Sequence, residues 1–174
     1  IMRLIIPKYK EMQESGQMEI SVTPYYHPIL PLLCNTDVAR ESSPNIALPK
    51  KTFSHPEDAK YQIESAVKYY RDKFGADPHG MWPSEGSVSA DIIPLAADAG
   101  IKWIATDEEI LSNSLGHRLS ANELFKPYMI EQDGRKIAII FRDHRISDDL
   151  GFVYSRWRPQ DAADDIILKF HRIA

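Results

Sequence analysis

Apolar positions along the chain switch repeatedly between two patterns: short continuous or alternating runs that suit strands, and spacings of three and four that suit helices. The clearest helical stripe is Ile63, Ala66, Val67, Tyr70 and Phe74. It predicts a helix over 57–74, ended by Gly75 and opened by a capping box of Ser54 and Glu57. A weaker stripe through Ile6, Tyr9 and Met12 predicts a helix at the start, ended by Gly16. The last run, PQDAADDIILKFHRIA, is also helical, and the two ends suggest a chain cut from something longer. Strand-like runs fall at 18–23 (MEISVT), 80–82 (GMW), 102–106 (KWIAT) and 136–141 (KIAIIF). Asp133-Gly134, between two apolar runs, is the strongest hairpin signal. The stretch 35–52, dotted with Pro44 and Pro49, reads as an irregular surface excursion, and 87–99 as a helix stopped by Gly100. This alternation is the pattern of an α/β fold with parallel strands.

A length of 174 residues with 43% hydrophobic positions describes one globular domain with a sizeable core. Lys and Arg number 21 against 25 Asp and Glu, a net charge of −4, so no basic field exists to collect nucleic acid or anionic lipid. Apolar runs such as 29–34, itself broken by Pro31, fall far short of the roughly 20 residues of a membrane span. The single cysteine, Cys34, rules out a disulfide scaffold and fits a reducing, cytoplasmic setting, with the thiol as buried filler. No glycine-rich phosphate loop, HExxH or GxSxG motif is present. The six histidines, at 27, 55, 79, 117, 144 and 171, form no close helical pair, so neither metal nor cofactor is expected.

The strand-like runs deliver four groups to their C-terminal ends: Tyr25, Tyr26 and His27; Trp82 and Glu85; Asp107, Glu108 and Glu109; Arg142, Asp143 and His144. In parallel α/β folds that edge is where active sites are built. Two carboxylates among aromatics and an arginine suit carbohydrate chemistry, one meeting positive charge at an anomeric carbon and the other moving a proton. Plainer readings exist for each residue. Glu85 suits a solvated turn, Asp143 an ion pair with Arg142, Trp82 and Trp103 the core, and the acidic run 107–109 the first turn of a helix.

The blocks GQMEISVTPYYHPILPLL (16–33), GMWPSEGSVS (80–89), KWIATDEEIL (102–111) and FRDHRISDDLGFVYSRW (141–157) resemble, in order, conserved blocks of family 57 of the glycoside hydrolases, the α-amylase and amylopullulanase group. The resemblance implies a partial (β/α)7 barrel, an incomplete relative of the TIM barrel, of which 1–174 is the central part. The family's opening His-Gln-Pro block and its later helical block have no counterpart here. It further implies action on α-glucans with retention of configuration, Glu85 as nucleophile and Asp143 as general acid/base. His27, Trp82, Tyr25, Tyr26, Trp103, Asp107, Arg142 and His144 are then expected to line the substrate site. A retaining pair is expected about 5–5.5 Å apart. Uncovered sheet edges and apolar faces are expected to make the chain self-associate. Two other readings of the residues stay open: a non-catalytic glucan-binding module, and a metal-dependent hydrolase resembling polysaccharide deacetylases.

Overall fold

The structure is a computed structural model that describes residues 2–173. It divides into two compact units, the first comprising residues up to Ala105 together with Tyr128–Ile139, the second Thr106–Pro127 together with the residues from Ile140 onward.

Helix α1 (Met2–Glu14) opens the first unit, and Gly16 turns the chain out of it at φ 73°. The expected strand at 18–23 does not form. Val22 alone makes a parallel bridge with Met81, donating its N–H to the Gly80 carbonyl and accepting from the Trp82 N–H. The reason lies just past that bridge: Pro24, the next residue due to donate across it, has no N–H to continue the ladder. Helix α2 (Leu30–Cys34) and the single turn α3 (Ala39–Ser42) precede the irregular stretch up to residue 55. Cys34 is buried, and burial, with Asp91 adding to it, pushes the thiol up to about 11.

Helix α4 (Pro56–Phe74) buries the expected stripe, and Ile63 is wholly inaccessible. Its start differs from expectation. Pro56 begins the helix, so His55 rather than Ser54 stands at the cap, and no capping box forms. The Ser54 hydroxyl donates to the Cys34 carbonyl instead, while Glu57 pairs with the His55 ring. Strand β1 (Gly80–Met81) pairs parallel with β2 (Trp103–Asp107), Gly80 opposite Trp103. Between them α5 (Ile92–Asp98) is shorter than predicted, Ser87 being extended. After α6 (Glu108–Leu115) and α7 (Ala121–Leu124), strands β3 (Tyr128–Gln132) and β4 (Arg135–Arg142) form the expected hairpin. Asp133 and Gly134 both take positive φ, 50° and 72°, as a turn matched to right-handed strand twist requires. The sheet is open, with order β1-β2-β4-β3. Leu30, Ile63, Met81, Ile92, Ile104, Ile137 and Ile139, each at most 2% exposed, make the core of the first unit, and each contributes about 1.5–3 kcal/mol by burial.

In the second unit the chain continues through α8 (His144–Asp148), a π turn over Asp149–Val153 and α9 (Pro159–Ile173). Lys169 ties these together, its ammonium donating to Asp149 and Asp165 at 2.6 Å each and to the Tyr154 hydroxyl at 3.0 Å. No described helix is long and apolar enough to cross a membrane.

Candidate functional site

The first unit carries Glu85. Strand β1 ends against Pro83, and the chain tightens into a single 3-10 turn, Ser84–Gly86. Within it Glu85 adopts φ 55°, ψ 21°, and Gly86 follows at φ 66°. Left-handed backbone costs a residue with a β-carbon roughly 1–3 kcal/mol and persists only where its surroundings over-determine it. The turn leaves the Glu85 side chain 74% exposed, with Oε1 held 3.0 Å from His27 Nε2. His27 is itself left-handed, at φ 59°. Its N–H donates to the Pro24 carbonyl, and its Nδ1 lies 3.2 Å from the Thr23 hydroxyl. Two strained residues, 58 positions apart in sequence, therefore meet through one hydrogen bond.

Tyr25 and Tyr26 precede that histidine, their rings edge-to-face at 4.8 Å. Trp82 follows β1 and is half-buried. Trp103 is also half-buried, but its ring lies over Gly80, where a β-carbon would come within 2.0 Å of it, and its indole N–H donates to Glu19 at 2.7 Å. Glycine at 80 is thus what lets the indole lie there.

Asp143 sits in the second unit, where β4 gives way to α8. It caps that helix, Oδ1 accepting from the Ile146 N–H at 2.7 Å. The ion pair expected between Asp143 and Arg142 is not the one made. The Arg142 guanidinium donates instead to Asp107 Oδ2 at 2.7 Å, and His144 Nδ1 lies 3.1 Å from the same oxygen. Asp107 caps α6 as well, accepting from the Glu109 N–H through Oδ1. Burial pushes the Asp107 carboxyl upward, but the Glu109 amide, Arg142 and His144 outweigh it and hold the group below the ordinary carboxylate value. The hydrogen bond and charge of Asp107, with Asp148 beyond, raise the His144 ring above its ordinary value. The acidic run expected to start a helix does so, and Glu108 reaches back to the His144 N–H.

Sequence reasoning missed Thr23, Glu108 and Asp148 as partners and the role of Asp107 as a hub. The available signal for the hub was an aspartate ending a strand immediately before two glutamates, which marks a helix cap. Among the described residues no group of three or more His, Cys, Asp or Glu is placed to hold a metal ion.

Comparison with known proteins adds to this geometry. The sequence model of Glycosyl hydrolase family 57 matches residues 2–174. Alpha-amylase 1 of Dictyoglomus thermophilum is 30% identical over 132 residues, covering 76% of this chain and 16% of its own. A 4-alpha-glucanotransferase of Thermococcus litoralis is 29% identical over 144 residues, covering 80% and 18%. The crystal structure of the 4-alpha-glucanotransferase from that organism superposes with a TM-score of 0.60 at 26% identity, over 84% of this chain and 19% of that one. The chain therefore spans less than a fifth of the length of these relatives.

Proposed function

We propose that this chain, which belongs to glycosyl hydrolase family 57, forms part of a partial (β/α)7 barrel that acts on α-glucans with retention of configuration. In this reading Glu85 is the nucleophile and Asp143 the general acid/base. The observation that supports it best is the Glu85 turn: an exposed carboxylate carried on left-handed backbone at the end of β1, one oxygen held by a histidine that is also left-handed.

The chemistry follows from that arrangement. Glu85 attacks the anomeric carbon through Oε2, since Oε1 is engaged with His27. Protonated Asp143 gives its proton to the departing glycosidic oxygen as that C–O bond breaks, leaving a glycosyl ester on Glu85. The Asp143 carboxylate then takes a proton from the incoming oxygen, which attacks the same carbon and frees Glu85. With Oδ1 accepting from the Ile146 amide, Oδ2 is the oxygen that carries the proton. The relatives' names, alpha-amylase and 4-alpha-glucanotransferase, allow water or a sugar hydroxyl as the acceptor. Tyr25, Tyr26 and Trp82 supply ring faces for the sugar. Trp103, Asp107, Arg142 and His144 serve the site by holding their neighbours in place.

The test uses an activated donor that needs no proton to leave, α-maltosyl fluoride. With Asp143→Asn the first step survives and the second slows, so a maltosyl group accumulates on the peptide containing Glu85 and is read by mass spectrometry. Glu85→Gln takes up no label. A label on another residue, or turnover retained by Glu85→Gln, overturns the assignment.

A further inference from the structure

We infer that Thr23 is a positioning residue for the proposed nucleophile, its hydroxyl holding the His27 ring so that an N–H on Nε2 faces Glu85 whether the ring is neutral or charged. The inference rests on the reading of Glu85 as the nucleophile. The backbone on either side of Thr23 is fixed. Val22 is buried and tied to Met81 by the parallel bridge, and Pro24 is buried with its φ set by its own ring. Thr23 between them is exposed, and its branched side chain has few rotamers to choose from. The turn that follows is closed by the His27 N–H on the Pro24 carbonyl at 2.9 Å. Its two central amides are held from α4: Gln62 accepts from the Tyr25 N–H through its main-chain carbonyl at 3.2 Å, and from the Tyr26 N–H through Oε1 at 2.8 Å. The hydroxyl and the ring are thus brought together by backbone that is anchored before, within and after the turn.

Donors and acceptors then assign the protons. An ionised Glu85 can only accept, so the Nε2 that faces its Oε1 at 3.0 Å carries a hydrogen. On the far side of the ring Nδ1 lies 3.2 Å from the Thr23 hydroxyl, and that hydroxyl also lies 3.2 Å from the Pro24 carbonyl. When the ring is neutral, Nδ1 is bare and accepts the hydroxyl proton. When the ring is charged, the Nδ1–H donates to the hydroxyl oxygen, and the hydroxyl proton turns to the Pro24 carbonyl. Only a group that both donates and accepts can serve both states. A carboxylate at position 23 would admit the charged ring alone, and an ammonium the neutral ring alone.

The effect falls on the second chemical step. In the glycosyl ester formed through Oε2, Oε1 is a carbonyl oxygen. As the bond from the anomeric carbon to Oε2 breaks, its electron pair returns to the carboxylate and Oε1 becomes a stronger acceptor. The bond from the Nε2–H is therefore stronger in the transition state than in the ester, which is the condition under which it speeds release. Thr23 acts on this step through the His27 ring.

The experiment traps the maltosyl ester in the 174-residue Asp143→Asn chain with α-maltosyl fluoride and releases it with azide, which needs no general base. Azide attacks the anomeric carbon, the ester C–O bond breaks with its electron pair returning to Glu85, and α-maltosyl azide is formed. Thr23→Val should slow this release about 3- to 10-fold, the worth of one hydrogen bond, and Thr23→Ser should restore it to within about twofold. Nitrogen-15 NMR of the neutral His27 ring in the unlabelled chain gives a readout independent of turnover: the Nδ1 resonance, hydrogen-bonded in wild type and in Thr23→Ser, should move downfield in Thr23→Val. Release unchanged by Thr23→Val, or not restored by Thr23→Ser, overturns the inference. So does an Nδ1 resonance that Thr23→Val leaves in place while circular dichroism shows an intact fold. If no chain takes up the label, the proposed function fails, and the Nδ1 resonance alone decides whether Thr23 holds the ring.

Discussion

Replacing Asp107 with Asn removes one charge and leaves the shape of the hub nearly unchanged. The asparagine can still cap α6, because Asn and Asp cap about equally well, so the loss falls on the bonds to Arg142 and His144. A hydrogen bond to a charged group contributes about 1.5–3 kcal/mol when protected. The Asp107 side chain is 19% exposed and that of Arg142 37%, so solvent screening lowers the Arg142 contribution to about 1–2 kcal/mol. Asp107→Ala should cost about 1 kcal/mol more, because the cap goes too. The pH dependence has a definite sign. Asp107 is held below its ordinary 3.8, so its contribution is present above that value and fades as pH falls through the lowered one. His144 is raised above its ordinary 6.5, so its contribution is complete below 6.5 and fades as pH rises through the raised value. The stability difference between wild type and Asp107→Asn should therefore be larger at pH 5.5 than at high pH, once the His144 ring has lost its proton. Urea unfolding across a pH series from 5.5 upward measures the difference, and NMR titration of the His144 ring follows its partner directly. A His144 titration unmoved by Asp107→Asn, or a stability loss that grows as pH rises, would refute the hub.

Two further predictions concern the first unit. Gly80→Ala places a β-carbon 2.0 Å from the Trp103 ring; displacing the indole should cost about 1–3 kcal/mol and red-shift tryptophan emission, and a variant with wild-type stability and emission would show that the ring does not lie over Gly80. Glu85→Gly relieves the left-handed strain and should leave stability unchanged or raised by up to about 1 kcal/mol while abolishing turnover of α-maltosyl fluoride, so a clear loss of stability in urea would show that the turn is not strained.

The parts of the fold legible in the sequence are those set by local burial and local turn chemistry. The α4 stripe repeats over about three turns, so a single face must point inward whatever surrounds it, and Asp133-Gly134 specifies its turn without outside help. The failures occur where a neighbour decides. MEISVT has strand-like residues, yet Pro24, just past its one bridge, has no N–H to continue the ladder. Ser54 and Glu57 have capping-box spacing, yet Pro56 sets the helix start one residue too late for Ser54 to cap. The box that does form, Ser120 with Glu123, opens a single turn with no periodic run to announce it.

The same division governs the candidate site. Which residues crowd the strand ends could be read from the chain, because each follows an apolar run that must be buried and ends at a Pro or an acidic turn. Which of them touch could not, because contact between His27 and Glu85, or between Asp107 and Arg142, depends on tertiary alignment across 58 and 35 positions. Arg142 shows how proximity in sequence misleads: on β4 successive side chains project to opposite faces, so an arginine at the strand end is poorly aimed at the residue after it and well aimed at the neighbouring strand's Asp107. Arg142 donates to Asp107, while Asp143 accepts from the Ile146 amide as the cap of α8.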